Sequence, residues 1–418
     1  MRKEFVKIAI WGFGAMGSGM ARLILSKQGF EITGVCDRNP AYVGKSMYTI
    51  LGIDRGTHPD VVVKADIAEV VPPRSCDLAL LCTDSFTAKA FPKIKWLLER
   101  GVDVISTAEE MAYPIAREPE LSREMDRIAK ENGVTVLGTG INPGVMMDLL
   151  VVMLTGVMAD VASIRVSRIN SLSPFGETVM EEQGVGLTVA SFEEKHRNGT
   201  IAGHVGFRES SRMMADALGW KLERFEQQMA PIVTKTDRKS SYGFAAAGDV
   251  AGVDMTAQGY VDGRCAIDMR HPQQIEPKLG NVETGDYIDI HGHPNVAMAI
   301  TPEIDGGIGT IAICVNMIPH VINARPGLKT MLDLPVPRAI MGDVRVRIEA
   351  GEIYGENGNL GPHPPDPPRA RGPGGEPSGR YAQSAVRTLG QGFFDGGRGD
   401  RRSGRNPHRH RTDGTRDA

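Results

Sequence analysis

The chain has 418 residues, 41% of them hydrophobic and 24% charged, with a formal net charge of −3. That length suits two or three globular domains, and so small a net charge gives no electrostatic case for specific nucleic-acid or membrane binding. No apolar run reaches the roughly 18 residues of a spanning helix. Met1-Arg2-Lys3-Glu4 leads straight into the first apolar run, leaving no room for a signal peptide. The five cysteines, Cys36, Cys76, Cys82, Cys265 and Cys314, form no CxxC and no zinc-type spacing. Reduced thiols in a cytoplasmic protein are expected, and none is given a catalytic role.

Residues 5–10 predict a short buried strand and residues 15–27 a helix. Between them Gly12-Phe13-Gly14-Ala15-Met16-Gly17 has the order G-x-G-x-x-G. Glycines alone are a weak signal. A strand before, a helix after and an acidic residue some twenty positions on make the pattern a dinucleotide fingerprint. Asp37 closes the second apolar run, residues 30–36, at that distance. Gly12 permits the tight turn, Gly14 lets a pyrophosphate approach the backbone, and Gly17 lets helix and strand pack closely. The helix start favours phosphate charge. Asp37 suits the ribose diol of NAD, whereas the adjacent Arg38 suits the 2′-phosphate of NADP, so the cofactor is NAD or NADP.

Strand and helix patterns then alternate up to about residue 140. Strands are expected at 60–64, 76–82, 102–106 and 134–137, and helices at 86–100 and 114–132. Such alternation implies a doubly wound parallel sheet of Rossmann type, with ligands at the carboxyl ends of its strands. Thr83 and Asp84 fall after the fourth strand. They either lie beside the cofactor or, through Asp84 or Ser85, cap the next helix. After the fifth strand stands Ser106-Thr107-Ala108-Glu109-Glu110-Met111. Its paired carboxylates either face the reactive end of the cofactor or merely complement a helix dipole. After the sixth, Gly138-Thr139-Gly140-Ile141-Asn142-Pro143-Gly144 is a loop that can approach a ligand, act as a hinge, or do both.

A linking helix is expected at 145–156. Residues 161–170 then alternate with period two, and Arg168 and Asn170 continue the face begun by Ile164 and Val166. A polar pair there is either a sheet rim or a pocket lining. Further strands are expected at 221–233, 249–261, 264–270, 287–291 and 296–300, giving an α+β substrate-binding and dimerisation domain with a mainly antiparallel sheet. His196, His204, His271, His291 and His293 fall in this half without a metal-binding spacing, so no metal is expected. Residues 308–324 predict a core helix that returns to the first domain. The expected boundaries are 1–144, 145–305, 306–350 and a tail, 351–418. That tail holds 15 glycines, 8 prolines and 11 arginines but no lysine. Such a composition cannot bury a core and implies disorder; its abrupt change also suggests a frameshifted extension.

Taken together, the motifs resemble known dehydrogenases. The first half is similar to the nucleotide domains of dihydrodipicolinate reductases and homoserine dehydrogenases. Over roughly residues 5–349 the chain more closely resembles the 2,4-diaminopentanoate dehydrogenases and the related native amine dehydrogenases. The residues that carry this are W-G-F-G-A-M-G at 11–17, V-C-D-R-N-P at 35–40, S-T-A-E-E-M-A-Y-P at 106–114, G-T-G-I-N-P-G at 138–144 and S-R-I-N at 167–170. The histidine-pair and S-G-T-A segment of dihydrodipicolinate reductases is not reproduced at 193–200.

The resemblance implies oxidative deamination of a diamino acid to a ketone and ammonia, whereas a homodimer is expected separately, from the edges of the second domain's sheet. It implies Glu109 or Glu110 as the base that deprotonates the substrate ammonium and the attacking water, with Glu109 favoured. It implies Arg168 as a clamp for the substrate carboxylate. Asn142, Asn170, His204 and His271 would line the pocket. Two other readings stand beside it: an amine or imine oxidoreductase of different substrate, and a non-catalytic sensor of the dinucleotide.

Overall fold

The first apolar run forms β1 (Val6–Trp11), followed by α1 (Ala15–Leu25) and β2 (Phe30–Cys36). The structure, a computed structural model, describes residues 4–349, so the expected tail lies outside the described residues. After a short α2 (Met47–Leu51) come β3 (Leu78–Leu81), α3 (Thr87–Leu98) and β4 (Asp103–Ser106). Two 3-10 turns, Glu109–Ala112 and Pro114–Ala116, lead into α4 (Pro119–Asn132) and β5 (Thr135–Gly138). Every residue of β3 and β5 is buried, as a parallel strand covered on both faces requires.

The second half starts with α5 (Leu149–Thr155), β6 (Asp160–Ser171), α6 (Glu177–Glu182), α7 (Val189–Arg197) and α8 (Phe207–Ala217). Strands β7 (Arg224–Val233), β8 (Arg238–Lys239), β9 (Phe244–Ala245), β10 (Val250–Val261), β11 (Arg264–Gln274), β12 (Gly285–His293) and β13 (Val296–Ile300) follow. The chain returns through α9 (Gly306–Ile322), β14 (Gly327–Lys329) and α10 (Val344–Glu349).

The first sheet has the order β14-β5-β4-β3-β1-β2, and all its pairings are parallel. It is the expected doubly wound Rossmann sheet with two changes. Residues 60–64 are not a strand but make isolated bridges, Cys36 to Lys64 and Ser46 to Val62. Pairing ends there because Asp66 turns the chain, its carboxylate capping the next turn at the Ala68 amide. The sixth strand is instead β14, which pairs with β5 and is too short to show a period.

The second sheet has the order β13-β12-β6-β11-β10-β7, antiparallel except for the central β6–β11 pair. Ile164 and Val166 of β6, with Ile267 and Met269 of β11, pack in one core with Phe207 and Met214 of α8. Strand β11 runs four residues past the expected end at Arg270, carrying His271, Pro272, Gln273 and Gln274 into the sheet.

Helix α9 joins the two halves. It starts at Gly306, because Asp305 caps the Ile308 amide at 2.7 Å. Its Cys314, Met317, Ile318 and Val321 are fully buried in the core that holds Met20 and Ile24 of α1. Each of the Met, Ile and Val side chains contributes about 1.5–3 kcal/mol over leaving it in water. A Cβ on Gly19 would stand 2.2 Å from Ile311, so the glycine is what lets α1 and α9 approach.

Candidate active site

The glycine loop shows why each glycine is there. Gly12 has φ +96°, and a Cβ on it would stand 2.6 Å from the Cys82 carbonyl oxygen. A Cβ on Gly17 would meet the Gly12 carbonyl oxygen at 1.9 Å, so that position closes the turn. Gly14 differs, since a Cβ there meets nothing within 4 Å. The protein's own packing does not need Gly14 bare. A phosphate approaching the amides at the start of α1 does, and the loop fits a dinucleotide on that observation.

Asp37 stands at the end of β2. One carboxylate oxygen accepts the Phe13 amide and the other the Asn39 amide at 2.7 Å. It therefore links the second strand to the glycine loop, with Arg38 exposed beside it. Phe13 is buried, while Ala15 is exposed and Met16 half-buried, one residue short of the close approach at Gly17. Beyond β3, the Thr83 hydroxyl donates to Asp84 at 2.6 Å, and Lys93 of α3 donates to Thr83 at 2.8 Å and to Asp84 at 2.6 Å.

The alternative role of Asp84 or Ser85 as a helix cap does not hold. The N-cap of α3 is Phe86, which supplies no side-chain acceptor. The missing acceptor is Glu110, whose carboxylate takes the Thr87 amide at 2.9 Å. The other Glu110 oxygen pairs with Arg117 at 3.1 Å, and Arg117 reaches Glu209 of α8 at 3.2 Å. Glu110 is thus committed to holding α3 and α8. Neither Arg117 nor Glu209 carries a motif in the sequence.

Glu109 takes no part in these contacts. Burial pushes its carboxyl up from 4.5 to about 7, against hydrogen bonds from its own amide and from Ser85. The negative charges of Glu182 and Glu110 add to the rise. The turn that carries both glutamates lies hard against β5. A Cβ on Gly138 would stand 2.1 Å from the Met111 carbonyl oxygen. The first glycine of the 138–144 segment therefore seats this turn, while the loop proper begins after it.

Asn142 of the 138–144 loop and residues of the second half form a further polar group. Asn142 contacts His204 at 3.3 Å between its amide nitrogen and Nε2. His204 and His271 stack edge to face with centroids 4.7 Å apart, and His271 Nδ1 donates to the Arg168 carbonyl at 2.6 Å. Burial holds both rings neutral: His204 falls to about 3, with the Arg168 charge adding to the effect. His271 is lowered by burial first, then by His204 and Arg168. Two neutral imidazoles carry no charge that would repel a cation.

Arg168, expected to clamp a carboxylate, already has an ion-pair partner in the protein. Its guanidinium pairs with Asp286 across the β6–β12 ladder and donates to the Ile304 carbonyl, and the two charged side chains are 2% and 3% exposed. A charge already balanced by Asp286 is a poor clamp for a second carboxylate. Arg168 instead ties β6, β12 and the start of α9 together. Asn170, two residues on, keeps a buried carbonyl oxygen without a partner, as does Asn142.

Comparison with known proteins places both halves of the chain. Residues 6–139 match the family described as oxidoreductase family, NAD-binding Rossmann fold, and residues 145–350 match the 2,4-diaminopentanoate dehydrogenase C-terminal domain. The chain is 60% identical over 343 residues to a 2,4-diaminopentanoate dehydrogenase of Acetoanaerobium sticklandii, covering 82% of this chain and 97% of that one. It is 25% identical over 361 residues to an amine dehydrogenase of Streptomyces virginiae, covering 80% and 98%. The solved amine dehydrogenase of Mycobacterium smegmatis superposes with a TM-score of 0.74 at 27% identity, covering 82% and 99%.

Proposed function

The chain belongs to the 2,4-diaminopentanoate dehydrogenase family, and on that premise we propose that it oxidatively deaminates 2,4-diaminopentanoate to 2-amino-4-oxopentanoate and ammonia. It is an oxidoreductase with an NAD-binding Rossmann fold, and NAD or NADP is the cofactor. Gly12, Gly14, Gly17 and Asp37 would hold it, with Thr83 and Asp84 further along the strand ends. Bound there, it would supply the acceptor for the hydride that the substrate carbon gives up as its amine becomes an iminium.

The observation that carries the proposal is the placement of Glu109, at the start of the turn that follows β4, beside a Glu110 already engaged with Thr87 and Arg117, where burial pushes its carboxyl up to about 7. An amine must lose a proton before it can give up hydride, and the water that attacks the iminium must lose another. A carboxylate held near 7 can accept such protons at neutral pH and release them again. An ordinary carboxylate near 4.5 is a much weaker base. Its negative charge also stabilises the iminium. Per turnover, one ammonium substrate, one oxidised cofactor and one water yield a ketone, an ammonium ion, the reduced cofactor and a proton. Asn142, Asn170, His204 and His271 offer neutral polar groups around the substrate. Arg168 we assign to positioning.

Appearance of NADH or NADPH on adding 2,4-diaminopentanoate tests the activity. Similarity to amine dehydrogenases supports a second reading, in which a simpler amine is the substrate. A greater kcat/KM for simple amines than for the diamino acid would establish it. Binding of the dinucleotide without turnover on any amine would establish the sensor reading instead.

Two further proposals accompany the activity. The first is a homodimer, supported by the polar face of the second sheet opposite the helices, where Arg165, Gln228 and Gln258 are exposed. Sedimentation of the full chain tests it. The second is a cytoplasmic location, consistent with five free cysteines. Among the described residues no helix is long and apolar enough to cross a membrane.

A further inference from the structure

The upper end of the β6–β11 pair holds a feature that the catalytic assignment does not use. Asn170 and Gln273 are register partners on these neighbouring strands. They share a face with Arg168 and His271, which stand two residues earlier on each strand. Both are buried, at 4% and 6% exposure. Two amides so placed ordinarily bond to each other. Here the Asn170 carbonyl oxygen and the Gln273 amide nitrogen both lack a partner. The Asn170 amide nitrogen faces the Ser171 carbonyl at 3.4 Å, which leaves the orphaned oxygen on the other end of the group.

An unpartnered buried acceptor on the strand neighbouring an unpartnered buried donor is destabilising until water or a ligand completes both. We propose that Gln273 and Asn170 form the subsite for the amino-acid end of the substrate. Gln273 Nε2 donates to the carboxylate, and Asn170 Oδ1 accepts from the adjacent α-ammonium. This rests on the diamino acid reading above. A zwitterionic head carries no net charge, so a neutral donor–acceptor pair matches it without a charged residue. It also explains how a carboxylate is held although Arg168 is already paired with Asp286. Gln273 is thereby a specificity-determining residue that separates amino-acid substrates from simple amines.

The test uses full-length protein and two competitive inhibitors of 2,4-diaminopentanoate oxidation. One, 2-aminopentanoate, carries the amino-acid head without the reacting amine. The other, 2-aminopentane, carries an amine without the head. Gln273→Leu is expected to raise the inhibition constant of 2-aminopentanoate by about tenfold or more, and Gln273→Glu by more still. The constant for 2-aminopentane should move by less than about threefold, well under that step. Cofactor affinity, followed by fluorescence, reports that each variant is folded. If both inhibitors weaken together, or neither does, Gln273 is structural and the inference fails alone. If the unaltered protein does not oxidise 2,4-diaminopentanoate at all, the activity reading fails and takes the inference with it.

Discussion

Adjacent glutamates, alike in chemistry, are given different work by their surroundings. Glu109→Gln is expected to lower turnover by about 10²–10⁴-fold, the usual worth of a general base, while cofactor binding persists. Because the Glu109 carboxyl sits near 7, amine oxidation should rise with pH through about 7 as the base loses its proton. The same shift has a sign for stability. The folded protein binds this proton more tightly than the unfolded chain, so the contribution is complete below pH 4.5 and lost as pH rises through about 7. At pH 8 the glutamine variant should therefore melt higher than the parent, by about 2–4 °C. Glu110→Gln should do the reverse, losing about 1–3 kcal/mol of stability in chemical denaturation, since it weakens the α3 cap and the Arg117 pair. The loss is moderate because Arg117 keeps 46% of its side chain in water. Asp37→Ala should weaken NAD by about tenfold, the scale of one charge-assisted hydrogen bond, and NADP by less. Titration with both dinucleotides checks it, and a larger loss for NADP would reverse the ribose assignment.

At the scale of elements, the glycine loop offers a contrast. Gly17→Ala puts a Cβ against a carbonyl oxygen at 1.9 Å, so α1 must withdraw from the turn. Both the melting temperature and cofactor affinity should fall. Gly14→Ala meets no protein atom within 4 Å, so the fold should keep its melting temperature while cofactor affinity falls. Calorimetry beside dinucleotide titration separates the two. The loop was legible in sequence because strand, glycines, helix and Asp37 are close together along the chain. So was the polar end of β6, since period-two alternation puts Arg168 and Asn170 on the core face. What escaped is non-local. The acceptor for the start of α3 comes from residue 110, and no local pattern announces it. The end of β11 was hidden by Pro272, which breaks a strand pattern although it pairs opposite Asp254. With it went Gln273. The pairing of Arg168 is out of reach of the sequence for a similar reason, because its partner Asp286 lies 118 residues away.

For the molecule as a whole, the two sheets are not built one after the other. The first receives β1 to β5 from the start of the chain, but β14 arrives only after the whole second sheet. Helix α9, which fills the core beneath α1, also comes late. A fragment ending at residue 144 should therefore expose Met20 and Ile24 and fail to give a cooperative melt, whereas one spanning residues 1–350 should melt cooperatively and bind dinucleotide. Circular dichroism on the two fragments decides it.

That late completion gives the chain a timetable. Roughly 190 residues separate the end of β5 from β14, a delay of roughly 10–40 s at ribosomal speed. Throughout it the nascent first sheet has an open edge at β5 and an uncovered apolar face, both of which invite wrong partners. The length of that exposed interval is thus set by the distance along the message between two neighbouring strands.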